Sequence, residues 1–312
     1  MKILVIGAGL IGQEYARILH DLKVDFVNLC KSKESGSVFR EKTGFEAIHG
    51  GLDQNRNILI EFTHFIVACD VESAYSITTI LFEHNCKNIL LEKPGTLSIE
   101  QFSNLYSRFP GLELSVYIAY NRRNYSSVLK AMELAKEDEG IISAYFDFTE
   151  WSHVIEKSNK SDILLKNWFF GNSTHVIDTV FFMIGKPEKL QPISMSKLSW
   201  HKPSVFVGSG ISKNNVPFSY HSNWQSAGRW NIEIKTKKRA LRLMPMEQLF
   251  EQKIGSLLWD EIKIANEKDS AFKPGFYQQV YEFLFVENPN LKTFREQFED
   301  LTVYSKILGK IG

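Results

Sequence analysis

Three glycines near the start of the chain constrain its fold more than any other feature. The apolar run Ile3–Ile6 leads into Gly7, Gly9 and Gly12, and an amphipathic stretch follows. The spacing G-x-G-x-x-G between a strand and a helix is typical of a turn that holds a dinucleotide pyrophosphate at the helix N-terminus. The first glycine permits the tight turn, the second lets the backbone approach the phosphates, and the third lets the helix pack on the strand. A turn with glycines for geometry alone is the alternative.

Short apolar runs alternate with longer amphipathic stretches through the first 120 residues. The runs predict strands at 2–6, 25–30, 57–60, 64–68, 87–91 and 113–119, and the stretches predict helices at 10–22, 36–43, 72–84 and 98–107. Apolar strands that alternate with helices are typical of a parallel sheet covered on both faces. We therefore predict an α/β fold in which residues 1–120 form a Rossmann domain with a doubly wound parallel sheet.

The pattern changes after residue 120. The sequence predicts a helix at 124–137, a strand at 140–149, a polar loop at 151–162 and a helix at 172–185, then alternating segments that include 204–207 and 230–235. Segments in which apolar and polar residues alternate, with turn residues at their ends, are typical of an antiparallel sheet. Helices predicted at 275–285 and 291–309 close the chain. Residues 121–312 are therefore predicted to form a C-terminal α+β domain with a large, mainly antiparallel sheet.

The composition limits the kinds of partner. The 312 residues include 37 basic and 36 acidic ones, so no general attraction to nucleic acid or to an anionic membrane is expected. Cys30, Cys69 and Cys86 have no metal-ligand spacing, and reduced thiols are expected. No segment has about 18 uncharged apolar residues, and the glycines interrupt the only signal-like start. We expect a cytoplasmic protein with no membrane, nucleic-acid or metal partner.

The residues after the second predicted strand bear on cofactor selectivity. NAD enzymes place an acid there to bind the ribose 2′-hydroxyl, whereas this chain has Lys31, Ser32 and Lys33. Two cations and a hydroxyl suit the charge-assisted hydrogen bonds of a 2′-phosphate. The pattern therefore favours NADP over NAD. Glu34 argues against this preference, and a solvated polar turn is the alternative.

The tripeptide Glu92-Lys93-Pro94 follows the apolar run Ile89–Leu91, at the carboxyl edge of the predicted sheet where ligands bind in doubly wound folds. Pro94 disfavours a helical conformation at Lys93, so the lysine is held at a strand end. A lysine beside a nicotinamide could donate a hydrogen bond to the oxygen that gains or loses the hydride. A surface lysine in a strand-to-helix turn is the alternative.

These motifs, followed by Tyr120-Asn121-Arg122-Arg123 and His175-Val176-Ile177-Asp178, resemble the glucose–fructose oxidoreductase/inositol dehydrogenase/rhizopine-catabolism (Gfo/Idh/MocA) family in order and spacing. The resemblance covers nearly the whole chain and implies an NAD(P)-dependent oxidoreductase. Such an enzyme acts on a secondary alcohol or ketone of a sugar, cyclitol or sugar nucleotide. It implies a homo-oligomer, a dimer or tetramer, whose second domain binds the substrate and mediates assembly.

The resemblance also implies roles for individual residues. Lys93 and His175 become the catalytic pair. The residues expected to contact the cofactor are Gly7, Gly9, Leu10, Ile11, Gly12, Lys31, Ser32, Lys33, Ala68, Cys69, Glu92, Lys93, Asn121 and Arg122, of which Lys31, Ser32 and Lys33 follow from the polar segment after the second strand and not from the resemblance. The residues implied to contact the substrate are Arg122 and, as the nearest polar substitute, Asn172. Trp151 and Trp168 flank the predicted pocket and could contact the substrate by stacking on a sugar ring, and packing at the domain interface is the alternative.

Two positions depart from the family pattern. Gly171 stands where many members carry an aspartate, and Asn172 is the nearest polar substitute. An asparagine can orient a hydroxyl but cannot take its proton. Cys69-Asp70-Val71 replaces a common Thr-Pro-Asn.

Some interpretations stay open at this point. A non-enzymatic NAD(P)-binding regulator and an enzyme resembling biliverdin reductase are alternative functions. His175 could be a packing residue, and Asp178 could orient it or pair with Arg122 or Arg123.

Overall fold

The computed structural model describes residues 1–96 and 98–310, apart from the side chains of Glu113 and Leu114. The chain divides into two compact units. The first unit holds Met1–Asn121 and Lys268–Glu299, and the second holds Arg122–Glu267 and the residues from Asp300 onward. The segment 268–299, which the pattern of the sequence placed with the C-terminal part, therefore lies in the first unit.

The strands of the described residues fall into two sheets. In chain order they are β1 (Ile3–Ile6), β2 (Phe26–Leu29), β3 (Ala47–Ile48), β4 (His64–Val67), β5 (Ile89–Glu92), β6 (Val116–Ala119), β7 (Ser143–Asp147), β8 (Pro187–Met195), β9 (Val205–Ser212), β10 (Pro217–Asn223), β11 (Asn231–Lys235), β12 (Arg239–Leu243), β13 (Phe250–Lys253), β14 (Asp260–Glu261) and β15 (Lys292–Thr293).

The α-helices connect and flank these strands. They are α1 (Leu10–Asp21), α2 (Lys33–Thr43), α3 (Gly51–Gln54), α4 (Val71–Glu83), α5 (Ile99–Arg108), α6 (Ser126–Glu137), α7 (Ser152–Ile155), α8 (Asp162–Lys166), α9 (Thr174–Ile184), α10 (Glu267–Ala271), α11 (Phe276–Phe285) and α12 (Phe294–Ile307). Within the residues that the structure describes, 3-10 helices cover Arg56–Glu61, Leu112–Ser115 and Asn121–Asn124, and a π-helix covers Phe169–Ser173.

The sheet of the first unit has the strand order β15-β6-β5-β4-β1-β2-β3. Neighbours are parallel except that β15 runs antiparallel to β6. All four residues of β1 are buried, as expected for a strand covered on both faces. The predicted Rossmann sheet is confirmed, and its parallel pairing brings the carboxyl ends of β1, β2, β4 and β5 to one edge.

One predicted strand is wrong. Residues 57–60 lie in the 3-10 helix Arg56–Glu61, not in the sheet. The apolar run Ile58-Leu59-Ile60 suggested a buried strand, but only Leu59 is buried and Ile60 is 93% exposed. In a 3-10 helix successive side chains point in different directions, so a three-residue apolar run need not enter the core.

The sheet of the second unit has the strand order β14-β13-β12-β11-β7-β10-β9-β8. Every pair is antiparallel except β7 with β10, so the predicted mainly antiparallel sheet is confirmed. Burial alternates along β10, which leaves one face covered and one open. Helix α9 packs on the covered face, where the rings of Phe181 and Phe146 lie 5.9 Å apart. The predicted loop at 151–162 contains the short helix α7.

Two further findings concern the cysteines and the helices. All three cysteine thiols are free. Among the helices that the structure describes, none is both long enough and apolar enough to cross a membrane.

Candidate functional site

The glycine loop between β1 and α1 has different requirements at its three glycines. Gly7 has φ +123°, and a Cβ there would lie 2.3 Å from the carbonyl oxygen of Ala68. A Cβ at Gly12 would lie 2.0 Å from the carbonyl oxygen of Gly7, whereas a Cβ at Gly9 would have no protein atom within 4 Å. Gly7 and Gly12 are therefore required by the packing of the loop itself, and Gly9 leaves open space at the start of α1.

A cavity of about 700 Å³ lies at the carboxyl ends of β1, β2 and β4. Its walls include Gly7 and Gly9 of the loop, Lys31 after β2, and Ala68 and Cys69 after β4. This is the edge of a doubly wound sheet at which dinucleotides bind. The cavity thus joins five of the residues that were expected to contact a cofactor.

Other residues of that predicted set lie outside the cavity walls. Leu10, Ile11 and Gly12 form the first turn of α1, and Leu10 is 83% exposed. Asn121 is buried, and its amide donates a 2.9 Å hydrogen bond to the carbonyl of Pro274. These contacts give Asn121 a structural task within the first unit.

Asn28 makes a hydrogen bond that stabilises the glycine loop. This residue was not identified from the sequence. It is fully buried in β2, and its Nδ2 donates a 2.9 Å hydrogen bond to the carbonyl of Gly7. A polar residue inside the otherwise apolar run Phe26–Leu29 was the available signal, because a buried amide needs a hydrogen-bond partner.

The start of α2 borders the cavity. Lys31 and Ser35 line it, whereas Ser32 and Lys33 do not. The Ser32 hydroxyl caps α2 by accepting a 3.2 Å hydrogen bond from the N–H of Ser35. The Glu34 carboxyl accepts a hydrogen bond from the backbone N–H of Glu34 and another from the Ser32 side chain. Both hydrogen bonds lower the pKa of this carboxyl. Glu34 is therefore engaged at the helix start and does not line the cavity.

Lys93 follows β5 at the same edge of the sheet. It is partly buried, and the peptide bond to Pro94 is cis. The carbonyl of Pro94 accepts a 3.1 Å hydrogen bond from the buried side chain of Gln297. The C-terminal segment of the first unit therefore holds the turn that carries Lys93.

The second unit brings His175 and Arg122 to one aromatic residue. His175 is buried at the start of α9, and its ring centroid lies 6.1 Å from that of Trp230. The guanidinium carbons of Arg122 and Arg229 lie 4.5 Å and 4.7 Å from the Trp230 ring centroid. Burial lowers the pKa of Arg122. Trp230 thus lies between His175 and the two arginines.

Glu150 is a buried carboxylate in the same part of the second unit, and sequence reasoning did not find it. Its side chain is 1% exposed. It accepts hydrogen bonds from Asn172 Nδ2 at 3.0 Å and Ser173 Oγ at 2.7 Å, and from Arg229 at 3.2 Å. Burial raises the pKa of Glu150, and these donors, together with the Trp168 side chain, oppose the rise.

The predicted substrate residues Asn172, Trp151 and Trp168 therefore lie around Glu150. The indole N–H of Trp151 donates to the carbonyl of Gly228 at 3.0 Å, and the guanidinium of Arg229 lies 4.7 Å from its ring. Trp151 is 48% exposed, so the group of residues around Glu150 extends to the surface of the second unit. The π-helix Phe169–Ser173 carries Asn172, and π-helices are frequent at functional sites.

Asp178 has a structural partner. Its carboxylate receives two hydrogen bonds of 2.8 Å from Arg123, and both residues are buried. Of the alternatives that the sequence left open for Asp178, pairing with Arg123 is the one confirmed.

We expect Glu150→Gln to lower the free energy of unfolding by about 2 kcal/mol, because the new amide N–H₂ opposes the donors of Asn172 and Ser173. Exchanging the two groups, in the double variant Glu150→Gln/Asn172→Asp, restores an amide-to-carboxylate hydrogen bond and should recover part of the loss. Urea unfolding of the wild type, both single variants and the double variant measures this coupling. Additive effects of the two substitutions would contradict it.

Comparison with known families gives a match to the N-terminal part of the chain. Residues 1–120 match the Gfo/Idh/MocA family model, described as an oxidoreductase family with an NAD-binding Rossmann fold. The resemblance drawn from the motifs is confirmed over these residues. No curated protein matches the chain by sequence.

Solved structures match the whole chain. A levoglucosan dehydrogenase in complex with NADH has a TM-score of 0.77 at 14% identity, covering 99% of this chain and 96% of that one. A UDP-N-acetylglucosamine 3-dehydrogenase from Acidithiobacillus ferrooxidans has a TM-score of 0.74 at 13% identity, covering 98% and 96%. A dehydrogenase from Clostridium difficile has a TM-score of 0.78 at 16% identity, covering 100% and 99%. At these identities the likeness establishes the fold.

Proposed function

We propose that this NAD-binding oxidoreductase of the Gfo/Idh/MocA type transfers a hydride between a nicotinamide and a secondary alcohol or ketone of a sugar, cyclitol or sugar nucleotide. The position of Lys93 carries the proposal: it follows β5 at the sheet edge that holds the cavity and the glycine loop. Two of the similar structures are sugar and sugar-nucleotide dehydrogenases, which supports the substrate class.

In this proposal each residue of the site has a separate role. The bound nicotinamide supplies the hydride chemistry. Lys93 donates a hydrogen bond to the substrate oxygen and stabilises its negative charge, and His175 serves as the acid–base group. Asn172 orients a substrate hydroxyl, Arg122 contacts substrate or cofactor, and Trp151 and Trp168 contact the sugar ring.

A binding and turnover screen tests the proposal. Thermal shifts with NAD and NADP identify the cofactor, and reduction of that cofactor is then followed spectrophotometrically with sugars, cyclitols and sugar nucleotides. Turnover of at least one polyol by the wild type is the expected result. Cofactor binding without turnover of any member of the panel would favour a substrate of another class, such as the non-sugar of an enzyme resembling biliverdin reductase.

We further propose that NADP is the preferred cofactor. Lys31 and Ser35 line the cavity, and Glu34 is engaged at the start of α2. Asp53 also lines the cavity, but its carboxylate pairs with Arg56 at 3.0 Å. These contacts suit a 2′-phosphate beside Lys31.

The double variant Lys31→Asp/Ser32→Ala is therefore expected to shift the ratio of NADP to NAD affinity toward NAD by about 100-fold, since an acid replaces a cation at the phosphate. Fluorescence titration with NADPH and NADH measures both affinities. Ser32→Ala alone is the control, because it removes only the cap of α2, worth about 1 kcal/mol. If the double variant and the wild type had the same ratio of NADP to NAD affinity, residues 31–33 would be a solvated turn with no role in cofactor selection.

A second copy of the chain is proposed to cover the open face of the second-unit sheet. Ile193 on β8 lies beside Val207 on β9, and both are exposed, at 57% and 40%. Ile193→Asp/Val207→Asp is expected to shift the wild-type dimer or tetramer to a monomer in sedimentation velocity, because charges cannot be buried cheaply in an apolar contact. Ile60→Asp, an exposed apolar position in the first unit, is the matched control.

A further inference from the structure

The side chain of Arg229 is held in place by three neighbours in the second unit. Its guanidinium carbon lies 4.7 Å from the ring centroid of Trp151 and 4.7 Å from that of Trp230. Its Nη1 donates a 3.2 Å hydrogen bond to Glu150, a carboxylate that is 1% exposed. An arginine already fixed by two indoles and a buried carboxylate loses little further rotamer freedom when it binds a ligand.

The other hydrogen-bond donors of Arg229 have no protein acceptor in the part of the chain that the structure describes. Three further arginines of the second unit, Arg123, Arg239 and Arg242, each donate from Nε and Nη2 to a carboxylate. In Arg229 only Nη1 is engaged, and its side chain is 38% exposed. The Nε–Nη2 edge, which can hold an anion through two parallel N–H groups, is therefore available to a ligand.

Two features of Trp230 favour an anionic ligand beside it. The guanidinium carbon of Arg122 lies 4.5 Å from the same ring, so two like charges lie against one indole, and an added anion offsets their repulsion. Nε1 of Trp230 is buried and makes no hydrogen bond to any described residue, although buried donors nearly always have a partner. Both features are satisfied by a negatively charged group that accepts hydrogen bonds.

We infer that Arg229 binds an anionic group of the substrate, a carboxylate or a phosphate, through its Nε–Nη2 edge. This inference rests on the proposed function and narrows its substrate class, since neutral sugars and cyclitols lack such a group. Glu150 is then a positioning residue for this contact: it engages Nη1 and leaves the opposite edge of the guanidinium for the ligand.

Calorimetric titration of the cofactor-saturated protein tests the inference. The probes are two matched sets: glucose with glucuronate and glucose 6-phosphate, and galactose with galacturonate and galactose 6-phosphate. We expect at least one anionic probe to bind about 30-fold more tightly than its neutral parent, because it gains two charge-assisted hydrogen bonds. A preference for the uronate identifies the bound group as a carboxylate, and a preference for the sugar phosphate identifies it as a phosphate.

Two variants of Arg229 assign the preference to this side chain. Arg229→Gln should bring the affinity for the anionic probe to within about threefold of that for its neutral parent. Arg229→Lys keeps a positive charge beside Glu150, so folding is preserved, but it lacks the planar fork and should keep only about a tenth of the anion affinity.

Arg242→Gln is the matched control in the same unit. Arg242 also lies against a tryptophan, with its guanidinium carbon 3.8 Å from the Trp259 ring centroid, but its Nε and Nη2 both donate to Glu233. Because that edge is already occupied, the control variant should bind the anionic probe like the wild type.

Two results would overturn the inference: no binding of any anionic probe to the wild type, or an anion preference that persists in both Arg229 variants. Turnover of a neutral sugar with wild-type kcat/KM in Arg229→Gln would also overturn it, and the proposed function would stand. Anion binding that depends on Arg229, without turnover of any polyol, would instead support the anion site and contradict the proposed function.

Discussion

Replacing Lys93 by methionine is expected to lower kcat/KM by about three orders of magnitude, which corresponds to about 4 kcal/mol of transition-state stabilisation. Methionine keeps the length of the side chain but removes the donor that would face the substrate oxygen. The cavity walls at Gly7, Gly9 and Lys31 are untouched, so dinucleotide affinity should change by less than about threefold. Steady-state turnover and fluorescence titration of NADPH, on the same preparations, measure the two quantities.

Lys87 provides the matched control for this experiment. It is an exposed lysine that precedes β5, at the opposite end of the strand from Lys93. Lys87→Met should therefore retain wild-type turnover. If Lys93→Met turned over its substrate within about tenfold of the wild type, Lys93 could not be the principal donor to the reacting oxygen.

The second large effect is expected from the glycine loop. Two glycine-to-alanine substitutions there should have different consequences, one for the stability of the protein and one for its dinucleotide affinity. Gly12→Ala places a Cβ 2.0 Å from the backbone oxygen of Gly7, which must shift the loop or the helix. Alanine is favoured over glycine in a helix by about 1 kcal/mol, but a backbone clash costs more. We expect a net loss of about 3 kcal/mol in the free energy of unfolding.

Gly9→Ala meets no protein atom within 4 Å and has an ordinary φ of −71°. Alanine is a poorer N-cap than glycine, but it reduces the entropy of the unfolded chain, so the free energy of unfolding should change by only a few tenths of a kcal/mol. Its methyl group would lie where the backbone must approach the pyrophosphate. We expect dinucleotide affinity to fall by about 100-fold, or roughly 2.7 kcal/mol.

Urea unfolding and cofactor titration of both variants separate the two effects. A Gly9→Ala variant that bound NADPH like the wild type would place the pyrophosphate away from this loop. A Gly12→Ala variant as stable as the wild type would show that the loop can adjust to a side chain, against the close approach to Gly7.

Local signals in the sequence predicted the parts of the site that one segment builds. The glycine loop, the lysine at the end of β5 and the polar start of α9 each lie within a few residues of the strand or helix that positions them. Strand ends in a parallel sheet meet at one edge whatever the connections between them, so Gly7 and Lys31 could be assigned to one cavity from sequence. The strand predicted at 57–60 was wrong because a run of three apolar residues does not distinguish a strand from a turn of helix.

Tertiary structure alone decided the contacts between distant segments. Glu150 accepts hydrogen bonds from Asn172, Ser173 and Arg229, and no spacing in the chain relates Glu150 or Arg229 to the pair Asn172-Ser173. Tyr15, Glu92 and Gln279 form a hydrogen-bonded set across 264 positions of sequence.

The sequence by itself determined the fold class, the dinucleotide loop and the candidate lysine, because periodicity and turn chemistry act over short range. The partners of buried polar groups were decided only by the fold. A buried carboxylate must find donors wherever packing brings them, and the sequence around Glu150 does not identify which residues supply them.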